Sequence, residues 1–140
     1  MMGRIVAIDY GRKRTGLAVT DELQMIATSL AAIPAQTTIR FLKDYTSENS
    51  VDCFVVGEPR QLNNTPSESA IYIEPFIRQL KKEFPDIPVE RMDERFTSLI
   101  ATRAIRDAGA KKKDRQDKSL VDAVSAVLIL QSYMESRNRG

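Results

Sequence analysis

The sequence predicts an α/β fold in which helices cover both faces of a mixed five-stranded sheet. Three apolar segments come first, separated by short polar turns, as in an antiparallel meander. Helical patterns then alternate with buried-strand patterns, which is typical of parallel strands joined by crossover helices. The 140 residues fit a single domain, residues 1–140, that is large enough to bury a core.

The first two apolar segments predict a β-hairpin with one acid at its base. Residues 5–8 are too short and too rich in β-branched side chains for a helix, so they indicate a strand buried on both faces. Residues 17–19 resume the apolar pattern after a basic turn. Asp9 follows the first strand, and because an unpaired carboxylate is costly to bury, it is a hydrogen-bonding anchor, a metal ligand or a turn cap. The pattern alone does not choose among these roles.

The rest of the chain alternates strands and helices, with one proline inside a helical pattern. Strands are predicted where β-branched runs are bounded by turn residues, and helices where apolar residues recur every three or four positions. We expect a strand at 25–33, a helix at 37–49, a strand at 51–57, a helix at about 66–84, a strand at 89–92, and helices at 97–108 and 119–136. Pro75 predicts a kink in the second helix or its division into two shorter ones.

Composition excludes several kinds of chemistry. The chain has no histidine, which rules out Ser-His-Asp and Cys-His nucleophiles, imidazole acid-base catalysis, and the usual zinc and haem ligand sets. If the protein is an enzyme, carboxylates must do most of the chemistry, and oxygen ligands favour a hard cation such as Mg²⁺ or Mn²⁺. The formal net charge is only +2, so any attraction to nucleic acid must come from local basic clusters.

Cysteine usage and hydropathy indicate the cellular compartment. The single cysteine, Cys53, lies within an apolar run, which predicts a buried thiol in a reducing compartment. The N-terminus lacks the apolar core of a signal peptide, and no apolar run approaches the roughly 20 residues that a membrane-spanning helix needs. We therefore expect a cytoplasmic protein without a membrane partner.

Three acids are predicted at the ends of core elements: Asp9, Glu94 after the fifth strand, and Asp122 early in the last helix. Helical spacing puts Asp122 in line with a mostly apolar row, whereas Lys118 one turn earlier offers an ordinary surface ion pair. Acids from distant segments can meet at the carboxyl ends of adjacent strands, the usual site in open α/β sheets. Two divalent ions held about 4 Å apart by such a cluster can activate a water and stabilise the departing oxygen of a phosphodiester.

Basic residues form two groups beside these acids, one at the tip of the first hairpin and one before the last helix. Both groups can seat a phosphate backbone, although for residues 111–113 alone a solvated lysine-rich loop is the simpler explanation. The helix predicted to begin near Thr97 adds backbone N–H groups, another seat for phosphate. We expect nucleic acid to contact Arg12, Lys13, Arg14, Arg95, Thr97 and Lys118.

Four segments carry a resemblance to a known family. They are A-I-D-Y-G-R-K-R-T-G-L-A-V at 7–19, V-V-G-E-P at 55–59, D-E-R-F-T-S at 93–98 and V-D-A-V-S-A-V-L-I-L at 121–130. The chain resembles the YqgF/RuvX family of pre-16S rRNA nucleases, also described as Holliday junction resolvases. The segments follow the family's order over nearly the whole chain. The resemblance implies a ribonuclease H-like fold and a metal-dependent nuclease of the bacterial cytoplasm that trims the precursor of small-subunit ribosomal RNA.

The resemblance also implies roles for individual residues. Asp9, Glu94 and Asp122 fall on the acidic positions of the family, which implies that they are both the metal ligands and the catalytic residues. The chain departs from the family where it has Gly57, Glu58 and Pro59 in place of the usual Gly-Leu-Pro. That departure leaves open whether Glu58 is an additional ligand or faces solvent.

The leading hypothesis is a nuclease in which Asp9 bridges two Mg²⁺ or Mn²⁺ ions while Glu94 and Asp122 complete the ligation. Its expected substrate is structured nucleic acid, with pre-rRNA favoured and branched DNA as the alternative. A phosphotransferase of the actin and hexokinase class shares a D-x-G after a strand, but that class closes two such domains around a nucleotide. A non-catalytic nucleic-acid-binding module is the remaining alternative. The sequence is compatible with a monomer or a homodimer.

Overall fold

A computed structural model describes residues 3–58, 70–93 and 118–139 of the chain, and these residues form strands and helices in alternation. The strands are β1 Arg4–Tyr10, β2 Arg14–Thr20, β3 Ala27–Pro34, β4 Val51–Glu58 and β5 Val89–Asp93. The helices are α1 Thr38–Glu48, α2 Ala70–Glu83 and α3 Lys118–Arg139, and a short 3-10 helix, Ala35–Thr37, precedes α1. None of the described helices is long and apolar enough to cross a membrane.

The strands form one mixed sheet in the order β3-β2-β1-β4-β5. β2 lies antiparallel to both β1 and β3, whereas β4 lies parallel to both β1 and β5. α1 and α2 pack on one face of this sheet and α3 packs on the other. The predicted fold class, three antiparallel strands followed by two parallel ones with helices on both faces, is confirmed.

The central strand β1 is buried on both faces, as its apolar run predicts. Val6 and Ile8 pack with α1 and α2, whereas Ile5 and Ala7 pack with α3, and all four are almost inaccessible to solvent. Successive side chains of a strand point to opposite faces, so a continuous apolar run suits a strand covered on both sides. β1 is therefore the axis about which the two halves of the core are built.

β3 begins two residues later than predicted because the side chain of Asp21 holds the preceding turn. Its carboxylate accepts the backbone N–H groups of Met25 and Ile26, both at 2.8 Å. Those two residues are therefore held in the turn, and the strand begins at Ala27. Residue 25 has the side chain of a strand former, but the local hydrogen bonds of an aspartate override that preference.

Pro75 lies inside a continuous α2, so the prediction of two shorter helices is wrong for the described residues. Proline removes one N–H, and the acceptor it leaves unpaired is the carbonyl of residue 71, in the first turn of α2 as described. Beyond it, Ile73, Ile77 and Leu80 are buried against the sheet. We attribute the continuity of α2 to this packing.

Two further predictions about the core are confirmed. Ala126, Ile129 and Tyr133, the row in line with Asp122, are buried in the cluster between α3 and the sheet. Cys53 is a buried free thiol in the same cluster. The predicted helix at 97–108 and the basic residues at 111–117 lie outside the described residues.

Candidate active site at the carboxyl ends of the strands

Asp9 lies at the carboxyl end of the central strand, as its penultimate residue and half-exposed. The predicted position was just after the strand, and the register shows that β1 includes both Asp9 and Tyr10. Because side chains alternate along a strand, Asp9 shares a face with Ile5 and Ala7, the face that α3 covers. Asp9 thus stands where the buried part of that face gives way to solvent.

The register places a glycine on each side of Asp9. Gly16 of β2 is its direct partner. Ile8 is paired with Val56 in β4, so the next residues along the two parallel strands are Asp9 and Gly57. Neighbouring residues in register point to the same face. The carboxylate of Asp9 is therefore flanked by two backbone positions that carry no side chain, which leaves room for a bulky or charged group beside it.

The hairpin tip next to Asp9 is held by backbone hydrogen bonds. The N–H of Gly11 donates to the Arg14 carbonyl at 2.9 Å, and the N–H of Ala35 donates to the Lys13 carbonyl at 2.9 Å. A Cβ at position 11 would lie 2.7 Å from the Arg14 carbonyl oxygen, so this turn requires glycine. Arg12 and Lys13 are exposed at the tip and Arg14 is half-buried. Three bases are thereby fixed in position beside the acid.

Two buried hydroxyl groups connect the hairpin to α1. The Thr38 hydroxyl lies 2.8 Å from the Thr15 hydroxyl and 2.8 Å from the Ala35 carbonyl. On the same face, Tyr10 stacks on Phe76 of α2 with ring centroids 4.0 Å apart. The sequence analysis did not identify these residues. Thr15 lies within the basic hairpin motif, but only tertiary structure shows that Thr38 is its partner.

α3 runs antiparallel to β1, so its first turns lie toward the carboxyl ends of the strands. Near its other end, the Tyr133 hydroxyl is 3.9 Å from the Cys53 sulfur at the start of β4. Asp122 precedes Tyr133 by eleven residues, or about 16 Å of helix. Asp9 follows Ile5, at the start of β1, by four residues, or about 13 Å of strand. Position 122 therefore lies at about the same level as Asp9 along the strand direction.

The third predicted acid follows the last described residue of β5. Asp93 ends β5 and is paired in register with Glu58, the last residue of β4. Glu94, Arg95 and Thr97 lie outside the described residues. Among the described residues there is no group of three or more Asp, Glu, Cys or His side chains that could hold a metal ion.

The thiol and phenol at the amino ends of the strands are kept protonated. Burial raises the pKa of Cys53, and burial together with the hydrogen bond to Glu90 raises the pKa of Tyr133. A protonated thiol is a poor nucleophile. The described chemistry therefore concentrates on the carboxylate at the opposite end of the sheet.

The fold defines a class of protein when it is compared with solved structures. It is similar to T. thermophilus RuvC in complex with a Holliday junction substrate, with a TM-score of 0.57 and 18% identity over 99% of this chain and 96% of that one. It is also similar to the fowlpox virus Holliday junction resolvase, with a TM-score of 0.54 and 16% identity over 95% and 99% of the two chains. The fold is the ribonuclease H-like fold of these resolvases.

Sequence comparison then gives the family. The family model described as RuvX, Holliday junction resolvase, matches residues 3–136. A protein of Parabacteroides distasonis is 57% identical over 136 residues, covering 97% of each chain, and one of Porphyromonas gingivalis is 55% identical over 138 residues, covering 99% of this chain and all of its own. Both bear the name "Putative pre-16S rRNA nuclease". The chain belongs to the RuvX family, as the four motifs predict.

Proposed function

We propose that this protein is a metal-dependent nuclease that hydrolyses phosphodiester bonds in structured nucleic acid, with 5′-end processing of pre-16S rRNA as its reaction in ribosome biogenesis. The observation that carries the proposal is the position of Asp9 between Gly16 and Gly57 in the register, beside a fixed basic turn. The names of the relatives at 55–57% identity support the RNA substrate. The single sheet formed by the described strands supports one domain over residues 1–140.

The proposed ligands and catalytic acids are Asp9, Glu94 and Asp122. Their donor chemistry suits Mg²⁺ or Mn²⁺, because carboxylate oxygens are the ligands these hard cations prefer. Asp9 and the start of α3 lie toward the same edge of the sheet, and β5 leads into residue 94 at that edge. Bound divalent ions would supply Lewis-acid activation of water and stabilisation of the departing oxygen. Glu58, at the end of β4, stays an additional candidate.

The residues of the chain itself position the nucleic acid. Arg12, Lys13 and Arg14 extend from a turn that backbone hydrogen bonds hold on both sides. Contacts from basic side chains to phosphate fix the register of a nucleic acid without reading its sequence. The glycines in register with Asp9 let a phosphate approach the carboxylate closely. We propose Arg95, Thr97 and Lys118 as further phosphate contacts, and the cytoplasm as the compartment.

A second substrate is favoured by a specific observation. The family model is described as a Holliday junction resolvase, and both structural neighbours are resolvases. Cleavage of branched DNA is therefore the alternative activity of the same site. Membership of this family argues against the phosphotransferase alternative.

The deciding experiment compares Asp9→Asn with Asp86→Asn, a control at an exposed turn residue. Each purified variant is given a pre-16S rRNA fragment with its 5′ extension, a four-way DNA junction, and linear duplex DNA, in Mg²⁺, Mn²⁺ or EDTA. We expect Asp9→Asn to cleave at below about 1% of the wild-type rate, since loss of an outer hydrogen-bond partner of a ligand alone costs about 10-fold to 100-fold. Asp86→Asn should cleave normally, and EDTA should stop cleavage by every protein.

The outcomes separate the candidate functions. Unchanged cleavage by Asp9→Asn defeats the proposed site. Faster cleavage of the junction than of the RNA favours the resolvase. Salt-dependent binding that ignores divalent ions, without any cleavage, identifies a non-catalytic binding module.

A further inference from the structure

The loop between β2 and β3, residues 21–26, presents three large apolar side chains to solvent. Leu23 is 65% exposed, Met25 70% and Ile26 64%, and they are the exposed large apolar residues of the described part of the chain. Together they expose on the order of 400 Å², the size of the largest apolar patch on a typical monomer, which is often functional. A patch of this size is typical of a contact surface.

The loop is held in one conformation by side chains from four segments. Asp21 accepts the N–H groups of Leu23, Met25 and Ile26 at 2.8–3.3 Å. Gln24 adopts a φ of 57°, which is uncommon for a residue with a side chain. Its amide donates to the Gly3 carbonyl at 2.7 Å and to the Asp52 carboxylate at 3.0 Å, and accepts from Arg137 at 3.2 Å. The apolar side chains are therefore displayed by a fixed loop.

The strand that follows the loop is an edge strand without charge. β3 ends the sheet order, and within the described residues its outer side has no strand partner. Its eight residues, A-T-S-L-A-A-I-P, include no Asp, Glu, Lys or Arg, although 29% of the chain is charged. Edge strands that must stay single usually carry charges or are very short, because their unpaired backbone groups bind other strands. β3 has neither protection.

We propose that β3 and the 21–26 loop form the interface of a homodimer, in which β3 pairs antiparallel with β3 of a second copy. The absence of charge identifies the partner, because an uncharged strand pairs with itself without like-charge repulsion. Antiparallel pairing of one strand with its copy also satisfies twofold symmetry. A pairing centred between Leu30 and Ala31 sets Ala27 of one copy opposite Pro34 of the other, so each apolar loop covers the end of the other copy's strand.

The arrangement is compatible with the helices and with a typical interface area. α3 packs over β1, β2 and β3. In the dimer the two β2 strands lie three strand spacings apart, about 14 Å. Packed helices need about 8–10 Å between axes, so the two α3 helices do not collide. A standard interface buries about 800 Å² on each partner, and the loop supplies on the order of half of that.

The test measures the mass of the full chain by sedimentation velocity across a roughly hundredfold range of protein concentration. The wild type should change from 15.8 kDa to twice that mass as concentration rises. Ser29→Lys in β3 and Met25→Lys in the loop should weaken the dimer at least tenfold. Ser47→Lys, at an exposed position of α1, is the matched control and should dimerise like the wild type.

Hydrogen exchange of the wild type avoids any dependence on the folding of the variants. Amides at 27–34 should exchange more slowly at high than at low protein concentration, while those of α1 should not change. A wild type that stays at 15.8 kDa throughout overturns the proposal, as does dimerisation unaffected by Ser29→Lys and Met25→Lys. The proposal uses none of the acids assigned to the nuclease, so it can fail or succeed independently of that function.

Discussion

The two ends of the sheet are built differently. At the amino ends of the strands, side chains from separate segments bond directly to one another: Gly3 donates to Asp52, and Gln24 contacts both as well as Arg137. At the carboxyl ends, the hairpin tip is fixed by backbone hydrogen bonds, and glycines flank Asp9 in the register. The comparison teaches that the amino end is organised for stability, while the carboxyl end keeps its side chains available for a ligand.

The sharpest break between the ends should come from one aspartate at each. Asp9→Asn should abolish cleavage while leaving the melting temperature near that of the wild type, because an uncompensated carboxylate costs stability rather than adding it. Asp52→Ala should retain cleavage but lose about 1–3 kcal/mol of unfolding free energy, since the N–H of Gly3 and the amide of Gln24 lose their acceptor. Urea unfolding and single-turnover cleavage measure the two effects. Loss of cleavage in a folded Asp52→Ala would contradict the division.

A matched pair of glycine substitutions tests the same division more finely. A Cβ at Gly3 would lie 2.6 Å from the Asp52 carboxylate, and one at Gly11 would lie 2.7 Å from the Arg14 carbonyl oxygen. Each alanine variant should therefore lose about 1–3 kcal/mol, the usual cost of forcing atoms into filled space. Only Gly11→Ala should also weaken RNA binding, because its clash displaces the basic tip. Equal RNA affinity of the two variants would show that the exact position of the tip is unimportant.

The smallest effect should appear at alkaline pH and at the amino end only. Burial and the Glu90 hydrogen bond raise the pKa of Tyr133 above its ordinary value of 10.0. A raised folded-state pKa stabilises the protein fully below pH 10, and this stabilisation is lost as pH rises toward the folded pKa. Tyr133→Phe should therefore flatten the decline of the melting temperature above pH 10, whereas Tyr10→Phe serves as the matched control. An unchanged slope in Tyr133→Phe would show that other groups govern the alkaline limit.

Much of the fold was predictable because its signals are local. The run at residues 5–8 is apolar at every position, and a strand with both faces covered needs that pattern. The errors have local causes too: Asp21 delays β3, and Pro75 affects only the first turn of α2 as described. Propensity could not weigh these hydrogen bonds and contacts in advance.

The candidate site was predictable in its acid and less so in its surroundings. Asp9 is conspicuous in the sequence because it follows a buried run. The neighbours that leave space around it, Gly16 and Gly57, come from other strands, and only the register identifies them. The tie between Thr15 and Thr38 likewise depends on tertiary structure. The assignment of Glu94 and Asp122 as ligands stays a prediction.

The direction of α3 has a mechanical consequence. The helix extends from position 122, at the level of Asp9, to Arg137, which bonds to Gln24 in the 21–26 loop. A helix transmits an axial displacement almost without loss, so a slip of a single residue at one end, about 1.5 Å, arrives undiminished at the other. Occupancy of the apolar loop is thereby coupled to the spacing between residues 9 and 122, and assembly can tune the active site from the far side of the sheet.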